Sequence, residues 1–331
     1  MVCPTEQATT YSHDVAVASI TRFYNFVKRI FGSWVGLQHP PEGGWPMMTP
    51  DLAEPMRLSP EAILVLRHIP QFDSNTPCVM HDCRPREIVQ VFEYNRKVFD
   101  ETGRGPHRIE DDWPEMDRGY PQHIFELASC SGYRYGTCIL TDTKRGVAIW
   151  LNVDGRSCGK GAPEPDATPE DGYQPRESFQ GWKSCPTFKI ETFFAMAEEQ
   201  LRLLNWLPQL DSAAFNLEEL EVYGQPNEEQ QERIKIMRDA GWPGENYDYD
   251  RAIEMTMYWD EARMALEEAE ERMKSLSSRL GVSDIGFPVQ GRGEQLTIYL
   301  GPLRRFHDTG KIFVPFAEFA RNLLVIPDVS S

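Results

Sequence analysis

The sequence predicts an α+β fold, an antiparallel β meander packed against helices, with a mostly helical second half. Three observations lead there. Segments 124–128, 135–140 and 147–153 are rich in β-branched and aromatic residues, and the gaps between them are too short for helical crossovers, so they pair antiparallel. Apolar residues recur at helical spacing on both sides of this region. About 40% of the 331 residues are apolar and 11% aromatic, enough to bury a core.

The elements follow in order. A helix is expected over 14–31, capped by Asp14, because Val17, Ile20, Phe23, Tyr24, Val27, Ile30 and Phe31 recur at spacings of three and four. The Pro- and Gly-rich stretch after it reads as irregular. Ser59-Pro60 reads as N-cap and first helical position of a short helix through His68, ended by Pro70. Residues 86–100 look helical, and 101–123 read as a polar loop. Asp142 to Gly146 make the turn between the second and third strands. Beyond the meander, helices are expected over 189–206, 227–240 and 248–280, with further strands near 296–300 and 311–314.

Residues 154–181 hold five Gly and four Pro among many acids, the composition of a linker or surface loop. They divide the sequence into an N-terminal α+β part (1–153) and a mostly helical part (182–331) expected to share the same core.

The formal net charge is −17. Such a field repels polyanions at long range, so extended contact with DNA is not expected. The seven cysteines, Cys3, Cys78, Cys83, Cys130, Cys138, Cys158 and Cys185, are odd in number and follow no secretory signal. Reduced thiols in the cytoplasm are the expectation. No stretch has the apolar length of a membrane span.

Chemistry concentrates in the run Glu110-Asp111-Asp112-Trp113-Pro114-Glu115. Clustered carboxylates bind a cation, receive a guanidinium bidentately, or hold one proton among themselves through mutual repulsion. A solvated acidic loop or a helix N-terminus would look the same in sequence. Terpene synthases carry a similar DDxxE run that binds Mg²⁺, but those enzymes are all-α and use a second metal segment that has no counterpart here. Pro114 also argues against a helix interior.

The run Asp111-Asp112-Trp113-Pro114-Glu115 resembles the DDxxE motif of the fungal arginine-containing cyclodipeptide synthases. The resemblance implies condensation of Arg-tRNA with a second aminoacyl-tRNA to a cyclo(Arg-Xaa) diketopiperazine. It also implies that Asp111, Asp112 and Glu115 are essential. The stretches GGWP at 43–46, LRHIP at 66–70 and GWPG at 241–244 give a wider likeness to fungal proteins compared with Smi1/Knr4-type interaction modules.

The chemistry fits the residue types. Aminoacyl esters are already activated, so neither an ATP site nor any other cofactor is needed, and no such motif is present. The enzyme must hold an arginine side chain and align an amine with an ester. Paired carboxylates bind guanidinium through two parallel hydrogen bonds. The expectation is that Asp111 and Asp112 hold the arginine and Glu115 assists proton transfer. The partners are then aminoacyl-tRNAs, reached through a local basic patch or an end-on contact. Lys28-Arg29, Arg84 with Arg86, Arg96-Lys97, Arg104 with Arg108, and Arg304-Arg305 are the basic spots.

Other residues stand out. Cys78, His81 and Cys83 have the spacing of partial metal ligands, but a structural zinc site needs a fourth. His68 falls at a helix end, where it binds carbonyls. His123 and Tyr133 border the meander as possible proton-transfer or orienting groups. Ser129, Cys130 and Ser131 are possible nucleophiles. The contrasting functional classes are a non-enzymatic interaction module and a cofactor-independent cyclase or isomerase.

Overall fold

The computed structural model describes residues 11–46, 48–49, 58–73, 76–88, 97, 120–130, 136–152, 164–167, 182–209, 217–219 and 226–279. The expected helix over 86–100 falls mostly outside these residues, and the strands expected after 290 fall wholly outside them. The chain divides into two compact units, Met1–Asp250 and Arg251–Ser331. The fold is α+β, with antiparallel sheets and helices.

The first unit opens with helix α1, His13–Phe31, whose buried face carries Ile20, Phe23, Tyr24, Val27, Ile30 and Phe31. Its cap is Ser12 rather than Asp14: the Ser12 hydroxyl accepts the Val15 N–H at 3.4 Å, and Asp14 sits in the first turn. There its charge meets the positive end of the helix dipole. A short strand β1, Leu37–Gln38, follows. Helix α2, Pro60–His68, begins as its Ser59-Pro60 signal predicts, with the Ser59 Oγ accepting the Ala62 N–H at 3.2 Å. Strand β2, Gln71–Phe72, pairs antiparallel with β1.

The main sheet has five strands, β3 (Cys83–Pro85), β4 (Ile124–Cys130), β5 (Thr137–Asp142), β6 (Val147–Asn152) and β7 (Thr187–Lys189), in sequence order and all antiparallel. The expected meander is β4-β5-β6, and β3 and β7 extend it on either edge. Helix α3, Ile190–Leu203, is shorter than the expected 189–206. Lys189 is taken by β7, where it pairs with Val147. At the other end Leu204 adopts a left-handed backbone (φ 61°) and the Asn205 N–H bonds back to Gln200 O at 3.0 Å, closing the helix. Trp206 then begins β8 (Trp206–Pro208), which pairs with β9 (Leu217–Glu219).

On one face of the sheet α3 packs against β6 and β7, and α1 packs on α3. Phe23 meets Phe194 with ring centroids 5.4 Å apart, and Trp150 of β6 contacts Phe188, Phe193 and Trp206. On the other face Ile124, Leu140, Val147 and Ile149 are covered by Trp182, with Tyr120, Ala167 and Cys185 packed alongside. Within the Gly- and Pro-rich stretch 154–181, residues 164–167 are docked on the sheet. Ala167 bridges Thr187, and the Asp166 carboxylate accepts the Lys189 N–H and the Thr192 hydroxyl, each at 2.8 Å.

Helix α4, Glu228–Asp239, starts with a reciprocal capping box between Asn227 and Gln230. It ends at Gly241 (φ 100°), after which Trp242 buries its ring against Phe26 and Tyr247. Helix α5, Tyr249–Arg279, spans the boundary between the units. Its part within the second unit is laced by Arg263, which reaches Glu267 at 3.1 Å and Asp260 at 3.5 Å and lies over the Trp259 ring. Glu267, Glu268 and Glu271 are exposed, the solvated face that the acidic pattern predicts.

Candidate functional site

The run Asp111-Asp112-Trp113-Pro114-Glu115 lies outside the described residues, as do Tyr133 and Ser131. Nearby in sequence, the chain is described again from Tyr120. That ring stands edge-on to Trp182 with centroids 5.9 Å apart, which docks the entry to β4 on the sheet.

His123, just before β4, meets the end of β5. The His123 Nε2 lies 3.8 Å from Oδ1 of Asp142, whose side chain is 1% exposed. Asp142 Oδ1 also accepts the N–H groups of Lys144 and Arg145 at 2.9 and 3.0 Å, so the carboxylate shapes the β5–β6 turn. Thr143 secures His123 from the other side: its N–H and its hydroxyl donate to the His123 carbonyl at 2.9 and 3.0 Å. Arg145 Nη1 stands 3.9 Å from the second carboxylate oxygen. The result is a half-buried imidazole held in place beside a buried carboxylate and a guanidinium. Such a group exchanges protons with a substrate when one reaches it.

The opposite end of β4 carries thiols. Cys83 and Cys130 are paired across β3 and β4, and Cys138 of β5 hydrogen-bonds to Cys130. Cys130 is half-buried and packs with Cys185 against Cys138 and Leu151. The Cys138 hydrogen bond holds the Cys130 thiol below the usual thiol range; the same bond, then burial, pushes Cys138 well above it. Burial likewise raises Cys83 well above that range, and Cys78 to about 11. Beside them Arg86 binds Glu126 at 2.8 Å. Of the serines and cysteine considered as nucleophiles, Cys130 has the chemistry of one.

The Cys78, His81, Cys83 spacing resolves into a tight turn. Val79 N–H donates to the Cys83 carbonyl at 2.8 Å, Cys83 N–H to the Met80 carbonyl at 3.1 Å, and Asp82 takes a left-handed φ of 47°. His81 stands 3.7 Å from the Asp82 carboxylate. Among the described residues no group of three or more His, Cys, Asp or Glu side chains is placed to hold a metal ion.

Two open grooves lie in the first unit. One, of about 610 Å³, runs along α1 past His13, Asp14, Thr21, Arg22 and His68. His68 Nδ1 is 2.8 Å from the Leu64 carbonyl, the carbonyl-binding role its position suggests. Burial lowers the His13 pKa below its usual value, against the pull of Asp14 and with help from His68. The other groove, of about 640 Å³, is lined by Lys28, Arg29 and residues 246–250.

Among the basic spots, Arg29, Arg84 and Arg86 are engaged by the protein itself, and Arg96, Arg104, Arg108, Arg304 and Arg305 lie outside the described residues. Arg29 donates to the Pro243 carbonyl at 3.1 Å and stacks on Phe26 and Trp242. Arg84 donates to the Thr76 carbonyl at 2.6 Å, and Arg86 holds Glu126. Lys28 and Lys97 are exposed.

Sequence reasoning named His123 and Cys130 but not their partners Asp142 and Cys138, nor the His13–His68 pair. Asp142 carried a turn signal, which hid its second role. Cys138 precedes Ile139 and Leu140 in a strand, where a thiol reads as a small hydrophobe. No family model, curated protein or solved structure matches the chain.

Proposed function

We propose that this chain is a tRNA-dependent, arginine-containing cyclodipeptide synthase. It joins Arg-tRNA and a second aminoacyl-tRNA into a cyclo(Arg-Xaa) diketopiperazine in fungal specialised metabolism, working in the cytoplasm without a cofactor. The observation that carries the reading is the Asp111-Asp112-Trp113-Pro114-Glu115 run. In this reading Asp111 and Asp112 grip the guanidinium and Glu115 relays a proton from the attacking amine. His123, a few residues further along the chain and seated beside Asp142, is the nearest described histidine in sequence. Contact with tRNA is end-on, in keeping with the net charge of −17 and with arginines already bound to protein carbonyls and carboxylates.

A second reading, a non-enzymatic interaction module of Smi1/Knr4 type, is favoured by α5. That helix exposes Met257, Tyr258 and Met264, large apolar side chains that a partner would cover.

The test is mass spectrometry of a heterologous host expressing the full chain beside an Asp111→Ala/Asp112→Ala double variant. An arginine-containing diketopiperazine made by the parent and lost in the folded variant supports the synthase. Abundant, folded parent protein with no new product overturns it and favours the interaction module.

A further inference from the structure

We propose that Cys130 and Cys138 form a reversibly oxidisable pair, in which the Cys130 sulfur is oxidised by a hydroperoxide and Cys138 closes the disulfide. The proposal stands apart from the synthase reading, since it uses only the β3–β4–β5 end of the sheet.

The geometry selects these two thiols from a crowd. Of the five cysteines in the described residues, three, Cys78, Cys83 and Cys138, are buried. Cys130 is half-buried at the end of β4, so a small oxidant has access to it that the three buried thiols lack. Its neighbour Cys138 already aims a thiol at the Cys130 sulfur, and both belong to one packed cluster with Leu151 and Cys185. The close approach is built into the backbone. Gly136 sits with φ 121°, and a side-chain carbon there would fall 3.0 Å from the Cys130 Cβ and 2.9 Å from the Asp82 carbonyl. Only glycine lets β5 start so near Cys130.

The charges around the pair are mixed. Glu126 opposes a Cys130 thiolate, while Arg86, bound to that carboxylate at 2.8 Å, favours it. The Cys138 hydrogen bond tips the balance toward the thiolate, the form that reacts.

The chemistry balances without further groups. The Cys130 thiolate attacks the outer oxygen of a hydroperoxide. An S–O bond forms, the O–O bond breaks, and the leaving alkoxide or hydroxide takes a proton. Cys130 is then a sulfenic acid. The Cys138 thiol loses its proton and its sulfur attacks the Cys130 sulfur. The S–S bond forms and the S–O bond breaks, releasing water. Two thiols lose two electrons in total, and the hydroperoxide becomes an alcohol, or water, plus one water. A small dithiol reverses the bridge by exchange.

The experiment uses the full chain. Native protein at neutral pH is pulsed with isotope-coded iodoacetamide. Cys130 is expected to label about 10-fold faster than Cys78, Cys83 and Cys138, as a partly exposed thiol of lowered pKa should. A second sample is treated with hydrogen peroxide, blocked with N-ethylmaleimide and digested with trypsin. Cleavage after Arg134 separates the two cysteines, so their bridge appears as two linked peptides that dithiothreitol releases. In Cys138→Ser, Cys130 should instead accumulate as a sulfenic acid trapped by dimedone. A Cys83→Ser variant should still form the bridge. Equal labelling of all buried and half-buried thiols, or a bridge from Cys130 to Cys83 instead, overturns the proposal. The labelling arm needs no substitution, so a variant that fails to fold does not spare it.

Discussion

The imidazole rings of His13 and His68 lie 5.1 Å apart, tilted by 59°, at the mouth of the groove along α1. They belong to different helices, so protonating both places two like charges across the α1–α2 contact. Nδ1 of His13 is buried with no hydrogen-bond partner among the described residues. A proton there gains no hydrogen bond in return for its desolvation.

The first prediction is a pH dependence. Burial lowers the His13 pKa below 6.5, and His68 adds to the effect. The unfolded chain therefore binds the proton first as pH falls. The stabilisation is fully present above about 6.5, the unfolded value, and is lost as pH falls through the lower folded value. Thermal midpoints should decline from pH 7 toward pH 5, and His68→Gln should make that decline shallower. Ring-proton NMR checks the cause: His13 titrating at or above 6.5 in the folded chain would rule it out.

The second prediction concerns the Asp166 cap. Lys189 at the N-cap of α3 makes no side-chain bond to the helix. Asp166, from a segment far back in the chain, fills that role by accepting the Lys189 N–H and the Thr192 hydroxyl. Asp166→Ala should cost about 1 kcal/mol of stability, the usual loss for a helix cap. Thr192→Val, which spares the backbone bond, should cost less. Urea denaturation of the two variants and the parent gives the comparison, and equal losses would show that Thr192 rather than Lys189 is the partner that matters.

These two cases show what the sequence could and could not convey. The meander, the Ser59-Pro60 start of α2 and the amphipathic face of α1 were legible because each follows from neighbours in the chain. Lys189, Trp206 and Asp14 were misassigned at element ends. Each decision there fell to a remote or subtle partner: Val147 for Lys189, Glu219 for Trp206, and the Ser12 hydroxyl that takes the N-cap in place of Asp14. Strand β3 was missed because it is three residues long and paired with β4 across a large sequence gap. His123 was legible as a titratable group beside a strand, but its carboxylate partner is reached only once β4 and β5 pair. The acidic run at 111–115 is legible in sequence alone.

The third prediction tests the aromatic centre. Trp150 is 2% exposed and touches Phe188, Phe193 and Trp206 at centroid distances of 6.5, 6.1 and 5.8 Å. Trp150→Ala should lose about 3–5 kcal/mol, the range for a buried ring whose space does not refill. Its indole N–H has no hydrogen-bond partner among the described residues. Trp150→Phe therefore removes an orphaned donor along with part of the ring, and should cost distinctly less. Chemical denaturation with matched m-values decides it. If the Phe variant fell as far as the Ala variant, the indole N–H would have a partner.

The last prediction joins the fold to the thiol pair. Gly136 takes a φ of 121°, which side chains rarely adopt, and a carbon added there would sit 2.9 Å from the Asp82 carbonyl and 3.0 Å from the Cys130 Cβ. Asp82 is itself in a left-handed conformation at the tight turn before β3, so it has little room to yield. Gly136→Ala should destabilise the chain by about 1–3 kcal/mol, from backbone strain and the backbone clash together. The readout that separates this from general damage is local. β5 must move away from Cys130, so the rate of Cys130 alkylation should change while that of the buried Cys78 holds. A variant that unfolds at lower denaturant yet keeps the parent's Cys130 rate would show that Gly136 serves the turn alone, and that the approach of Cys138 to Cys130 is set elsewhere in β5.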